Sequence, residues 1–337
     1  MTSDLPLVDI ATLRAPVAPG DRAGEAAARR AATVAAEIDR ACRRYGFVRI
    51  TGHGIAADRL DELDRLSRSF FALPDERKAR IAMDRGGRAW RGWFPLGAEL
   101  TSGRPDHKEG IYFGAELAPD DPAVLAGRPL HGPNLFPDAP AGLRAAVLWW
   151  TAAMTDLGVL LLRAVAVGLG LPADWFATTV AADPTVLFRI FRYPPAHDDG
   201  WGVAEHTDYG LLTILAQDRH AGLEVRGPDG WMAVPAEPGV LVVNLGDMLD
   251  RMTEGRYRST PHRVRNSGRG DRLSFPCFVD PSWDAMCAPM PLAGSPPADD
   301  VARRWDGASP QAWDGTYGEY LTAKVARVFP QLGRRIV

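Results

Sequence analysis

The sequence predicts a mainly β protein with flanking helices, its core a sandwich or barrel. Two observations carry this. Beyond residue 186 the chain breaks into short β-rich runs at 186–193, 211–216, 223–226, 231–234, 240–244, 262–266 and 272–279, punctuated by Gly, Pro and Asp. Strands this short and this closely spaced leave no room for βαβ crossovers. Between two of them, Gly227-Pro-Asp-Gly230 is a hairpin signal. Before residue 186 the pattern is largely helical.

The elements follow in order. Residues 22–45 are rich in Ala, Arg and Glu and stop at Gly46, a helix with a glycine terminator. Phe47-Val-Arg-Ile50 alternates as a short strand, and Gly52-His-Gly54 turns. Helical spacing returns over 56–72, with Leu60, Leu63, Leu66 and Phe70 on one side and Pro74 past the end. Residues 84–115 hold Trp90, Trp93, Phe94, Tyr112 and Phe113 without a period and read as ordered loop and short strand. A long helix over 141–169 is apolar along one side. Residues 289–297 are a proline-rich connection, and 315–329 has helical character. The expected organisation is a helical and mixed region over 1–120 packed on the core, a long helix plus β core over 121–290, and a helical segment over 291–337. Together they form one functional domain.

Bulk properties narrow the function. With 337 residues, 46% of them apolar, the chain can bury a sizeable core. Its 39 basic and 42 acidic residues give a net charge of −3 with no basic face, which argues against nucleic acid as a partner. Asp4 and Pro6 stand where a signal peptide needs a basic then apolar run. The most apolar stretch, 157–171, is interrupted by Arg163 and too short to span a bilayer, so it reads as a buried helix and no membrane partner is expected. Cys42, Cys277 and Cys287 are odd in number and lack metal-type spacing; they suit a reducing cytoplasm and pack as small apolar residues. A monomer is the expected state.

The chemistry is concentrated in a few residues. His206-Thr-Asp208 sets two ligand types at i and i+2, which share a face if they lie on a strand. His262, after Pro261, offers a third ligand from a distant run. Two imidazoles and one carboxylate on one side of an ion leave positions open, the arrangement that suits non-haem iron(II) binding a co-substrate and O₂. Alone, a His-x-Asp triplet is a common accident, and a His at a strand start is more often a hydrogen-bonded core residue. The combination decides: Arg272-Leu-Ser274 follows ten residues after His262, again at i and i+2. An inward arginine in a β core is costly unless an anion meets it, and its fork fits a carboxylate. A structural pairing with an acid of this chain is the competing reading. Tyr193, in Arg192-Tyr-Pro194, either reaches the same anion or is an ordinary strand aromatic.

In this order, His206-x-Asp208, His262 and Arg272-x-Ser274 resemble the 2-oxoglutarate/iron(II) dioxygenase superfamily, and within it the isopenicillin N synthase-like branch. Leu5-Pro-Leu-Val-Asp-Ile10, Gly46-Phe-Val-Arg-Ile-Thr-Gly-His-Gly54, Arg192-Tyr-Pro194, Glu205-His-Thr-Asp-Tyr-Gly210 and Asn244-Leu-Gly-Asp247 are further matches, spanning about residues 5–330. The resemblance implies a double-stranded β-helix (jelly-roll) core. It implies Fe(II) on His206, Asp208 and His262, and the distal carboxylate of 2-oxoglutarate on Arg272 and Ser274 with Tyr193 assisting. Phe191 departs from the pattern, since plant members often place Asn there. The activity implied is O₂-dependent hydroxylation, desaturation or cyclisation of a small molecule of secondary-metabolite or amino-acid type, releasing succinate and CO₂. Two other readings stay open: an iron oxidase of the same branch that does without 2-oxoglutarate and uses the Arg-x-Ser pair for its substrate, and a non-catalytic binder on the same scaffold. Candidate substrate residues are Trp90, Arg91 and Trp93, the segment Lys108-Glu-Gly-Ile-Tyr112, Trp201, and Phe278. Core or lid packing accounts for each equally well.

Overall fold

The computed structural model describes residues 5–14, 22–195, 201–265, 268 and 270–330. The strands are β1 (Leu7–Asp9), β2 (Phe47–Thr51), β3 (Gly92–Phe94), β4 (Leu100–Thr101), β5 (Arg104–Pro105), β6 (Glu109–Gly114), β7 (Thr185–Tyr193), β8 (Trp201–His206), β9 (Leu212–Gln217), β10 (Leu223–Gly227), β11 (Gly230–Val234), β12 (Leu241–Leu245), β13 (His262–Arg265) and β14 (Arg272–Asp280). The α-helices are α1 (Arg22–Tyr45), α2 (Ala57–Phe71), α3 (Asp75–Lys78), α4 (Pro122–Leu125), α5 (Leu143–Gly168), α6 (Trp175–Thr178), α7 (Asp247–Met252) and α8 (Tyr317–Val328).

A jelly-roll core of two sheets results. One has the order β1-β2-β12-β9-β14-β7-β6-β3, the other β11-β10-β13-β8, and β4-β5 is a separate ribbon. Strands from the N-terminal part thus extend both edges of the large sheet. The Gly227-Pro-Asp-Gly230 signal closes the β10-β11 hairpin, whose register pairs Gly227 with Gly230. The run expected to reach residue 266 is the strand His262–Arg265; Asn266 lies outside the described residues, as do residues 1–4.

The segment 84–115 is loop and short strand, in line with the sequence, and contains the fully buried strand β6, which pairs with β7. Its Gly110 is required by packing, because a Cβ there would lie 2.7 Å from the Phe191 ring and 2.8 Å from that of Phe94. The β-rich runs read from the sequence omit most of strand β8, of which only His206 is expected on a strand: Trp-Gly-Val-Ala-Glu-His is mostly partly exposed and carries little alternation. The short helix α7 lies hidden behind the Gly246-Asp247 turn.

The helices form for local reasons. α1 ends at Gly46, which takes φ +64° and donates its N–H to the Cys42 carbonyl, a left-handed stop open to glycine at little cost. α8 opens with a capping box in which Thr316 and Glu319 exchange side-chain to backbone bonds. α5 is the one helix among the described residues long and apolar enough to cross a bilayer, yet it packs on α1, α2 and β14. Its buried row Leu143, Val147, Trp150, Met154, Leu157, Leu161 and Val165 follows the helical repeat. Gly158 lies in that row against Val279 of β14, where a Cβ would come within 2.6 Å of Val279 Cγ2. Gly158→Leu is therefore expected to cost about 2–3 kcal/mol through overpacking, read as a lower urea midpoint. An unchanged midpoint would mean that the helix and sheet separate easily.

Candidate active site

Strand parity builds one cavity of about 460 Å³ inside the jelly roll. From β7 the alternate residues Leu187, Arg189, Phe191 and Tyr193 face it; from β14 they are Arg272, Ser274, Pro276, Phe278 and Asp280.

The three metal-type ligands meet at its wall. His206 and His262 stand opposite each other in the β8-β13 register, with ring centroids 4.2 Å apart. Asp208 is not on the strand: β8 ends at His206, and the following turn, held by the Asp247 N–H on the Asp208 carbonyl (2.8 Å), swings the carboxylate back. The expected i, i+2 pairing on one strand is corrected accordingly. Asp208 Oδ1 lies 4.0 Å from His206 Nε2 and 3.8 Å from His262 Nε2, and all three donor atoms fall within 4.8 Å of one another.

The donor set fits a cation. His206 Nδ1 lies 2.8 Å from the Ala204 carbonyl, and His262 Nδ1 lies 3.2 Å from the Thr260 carbonyl. A carbonyl can only accept, so each Nδ1 carries the proton and each Nε2 presents its lone pair to the shared point. Burial, with the neighbouring His262, pushes the His206 pKa down to about 3, which keeps the ring in its ligating, neutral form. Burial alone would raise the Asp208 pKa, but the two imidazoles and the bonds from Asn244 and Thr213 outweigh it and hold the pKa below the usual carboxylate value. Those bonds, from Thr213 Oγ1 at 2.5 Å and Asn244 Nδ2 at 2.6 Å, both fall on Oδ2 and leave Oδ1 for an ion. Asn244→Ala is expected to weaken iron binding about 10- to 100-fold, as loss of a ligand-orienting partner does. A competitive chelator titration measures it, and unchanged affinity would show that Thr213 alone suffices.

At another wall, Arg272 is 1% exposed. Its Nη2 donates to Gln217 Oε1 (2.9 Å) and its Nε to the His220 carbonyl (3.3 Å), while the buried Nη1 has no partner among the described residues. Among the described residues no carboxylate stands within ion-pair distance of it, which favours an outside anion over a structural ion pair. The Ser274 hydroxyl lies 3.4 Å from the Tyr193 hydroxyl, and the Arg272 guanidinium carbon lies 5.0 Å from the Tyr193 ring centroid. Arg272, Ser274 and Tyr193 thus form one buried donor cluster.

The candidate substrate residues divide. Phe278 lines the cavity, as does Lys108, whose ammonium pairs with Asp106 (2.8 Å) and Glu99 (3.0 Å). The others do not line it. Arg91 is buried and spends its fork on Asn134 Oδ1 (2.7 Å) and the Leu130 carbonyl (2.8 Å), tying loops together. Trp90 is buried and packs on Phe329. Trp93 donates to Glu109 Oε2 (2.8 Å), the acid that also holds Lys78 and Arg192. Tyr112 shares the sheet face of Arg189, its register partner, but is covered by that side chain and has its hydroxyl on Glu99 Oε1 (2.5 Å). Trp201 stacks under Arg263, 4.0 Å from its guanidinium carbon. The residues that sequence reasoning passes over are Thr213, Glu99 and Arg189, while Asn244 enters it only as part of a family motif. Arg189 had a signal: it stands four residues before Tyr193, on the same strand parity.

Comparison with known proteins defines the class. Residues 5–139 match the model described as non-haem dioxygenase in morphine synthesis N-terminal, and residues 184–281 match the 2OG-Fe(II) oxygenase superfamily. The chain belongs to the 2OG-Fe(II) oxygenase superfamily and is an oxidoreductase of that class, with iron(II), 2-oxoglutarate and O₂ as the class's cofactors. It is 43% identical over 333 residues to a probable iron/ascorbate oxidoreductase of Dictyostelium discoideum, covering 90% of this chain and 91% of that one. A 1-aminocyclopropane-1-carboxylate oxidase of Dictyostelium mucoroides is 34% identical, with 88% and 90% covered. A full-length Neurospora crassa protein, solved in complex with alpha-KG, superposes with a TM-score of 0.75 at 25% identity, covering 96% of each chain.

Proposed function

We propose that the protein couples 2-oxoglutarate and O₂ to the oxidation of a small organic molecule, with hydroxylation as its basic outcome. The buried Nη1 of Arg272, without a partner among the described residues, carries this reading. A guanidinium placed in a β core without an acid is costly unless a ligand carboxylate completes it. The distal carboxylate of 2-oxoglutarate fits the fork, with Ser274 and Tyr193 adding hydroxyl donors. Bound iron supplies the O₂ chemistry that splits 2-oxoglutarate to succinate and CO₂ and delivers one oxygen atom to the substrate. The chain's own part is to fix the iron's carboxylate through Asn244 and Thr213, to anchor the co-substrate's far end, and to seat the substrate in a cavity inside the jelly roll. All these groups come from one chain, which supports a monomer as the working unit, and the free, buried Cys42, Cys277 and Cys287 support a reducing compartment such as the cytoplasm.

The test is anaerobic titration of the iron(II) protein with 2-oxoglutarate, followed by succinate assay in air. A visible metal-to-ketoacid absorption band and steady succinate release are expected. Absence of both would leave the second reading, an iron oxidase that needs no 2-oxoglutarate, which likeness to the 1-aminocyclopropane-1-carboxylate oxidase supports.

A further inference from the structure

The cavity has a second cationic pole. Arg189 faces it from β7, four residues before Tyr193 and so roughly 13 Å along the strand. Its guanidinium carbon lies 4.0 Å from the centroid of Tyr112 and 4.7 Å from that of Phe278. Rings on both sides fix the plane of the fork, the geometry in which arginine loses little freedom on binding a carboxylate. Yet among the described residues no acceptor takes a hydrogen bond from this fork, and no carboxylate stands within ion-pair distance; its Nε is buried and unpartnered. Glu99 lines the same cavity but is engaged by the Tyr112 hydroxyl (2.5 Å) and the Lys108 ammonium (3.0 Å). Lys108 is likewise engaged, by Asp106 and Glu99. Lys324 pairs with Asp247 (3.2 Å) and Arg327 is exposed at the rim, so apart from Arg272 the buried cation of the cavity that no anion among the described residues contacts directly is Arg189.

We infer that Arg189 binds a carboxylate of the substrate, so that the oxidised molecule is a small carboxylic acid. The inference rests on the reading above, in which Arg272 is taken by 2-oxoglutarate. The two poles then divide the work. One holds the co-substrate's far end, the other holds the substrate's acid group, and the carbon to be oxidised lies between them near His206, Asp208 and His262. Phe278 and Leu187, which line the same region, supply apolar contact for the substrate's body.

The test is titration calorimetry on protein loaded with redox-inert Mn(II) and 2-oxoglutarate. The probes are 1-aminocyclopropane-1-carboxylate, hexanoate, phenylacetate and L-arginine, each against its primary carboxamide. At least one acid is expected to bind, and its amide to bind at least about tenfold more weakly. In Arg189→Gln the same acid should bind about 10- to 100-fold more weakly, with 2-oxoglutarate affinity and thermal unfolding nearly unchanged. Arg189→Lys, which keeps the charge but loses the fork, should fall between. Amides binding as well as acids, an acid binding Arg189→Gln undiminished, loss of 2-oxoglutarate binding in that variant, or no acid binding at all would each overturn the inference. If the wild type fails to bind 2-oxoglutarate, the proposed function fails separately. The same acids, titrated into the Mn(II) protein and its Arg189→Gln and Arg272→Gln variants, then still report whether Arg189 is the anion site.

Discussion

His262→Ala is expected to lose iron binding and to lower turnover on the order of a thousandfold or more, because the metal contributes several kcal/mol of the rate and about 1.4 kcal/mol is tenfold. The loss follows from geometry. His262 Nε2 and His206 Nε2 approach a single carboxylate oxygen, so two donors remain after the change, and two donors hold a labile divalent ion poorly. The fold should survive. The His262 ring packs edge-on against Phe47 at 5.3 Å, and its backbone pairs with β8 and β10, contacts that alanine loses only in part. His131→Ala is the control: its ring packs on Trp283, 4.9 Å between centroids, away from the cavity, and the variant should bind iron as the parent does. Iron stoichiometry after desalting, circular dichroism and succinate release together decide the matter. A His262→Ala protein that keeps one iron per chain and turns over normally would break the assignment of the site.

The reach and the limits of the sequence reading have the same cause. His and Asp spaced by one residue, a second His far away and an inward Arg-x-Ser are chemically loud, and the parity argument for β14 holds from Arg272 to Asp280. Parity misleads at Asp208 because the strand ends two residues earlier, and a turn has no side-chain period. Thr213 and Asn244 are quiet in sequence for another reason. They are uncharged, and their shared role arises only because β9 and β12 pair them directly across the sheet. Register between strands of separate hairpins is set by tertiary packing, which no local pattern records. The aromatic segment around Trp93 and Tyr112 misleads in the opposite sense. Its residues look like ligand contacts, but β6 is buried throughout, and their polar atoms are used up on Glu109 and Glu99. The β6-β7 pairing sets Tyr112 beside Arg189, its register partner on the same sheet face, so that the Arg189 side chain covers the ring and takes its place in the cavity lining.

Arg272→Met is expected to have two opposite effects, and their combination identifies what the arginine is for. In the ligand-free protein the buried guanidinium carries an Nη1 without a partner among the described residues. Replacing it with an apolar chain of similar length relieves that cost and offsets the lost bonds to Gln217 and the His220 carbonyl, and unfolding stability should stay within about 1 kcal/mol of the parent or rise. In the presence of 2-oxoglutarate the order reverses. A charged, forked contact in a buried site contributes about 3–5 kcal/mol when one partner is removed, so KM for 2-oxoglutarate should rise 100-fold or more. At saturating co-substrate kcat should fall far less, because the arginine holds the end of the molecule remote from the reacting carbon. A ligand at 100 times its Kd stabilises the native state by about 2.7 kcal/mol. The parent, loaded with Mn(II), should therefore show a clear rise in unfolding temperature with 2-oxoglutarate that the variant lacks. A structural arginine would give the reverse pattern: lower stability without ligand and an unchanged KM. A fall in kcat with KM preserved would place Arg272 against the substrate, as the oxidase reading requires. The two unfolding curves and one KM together separate the three cases.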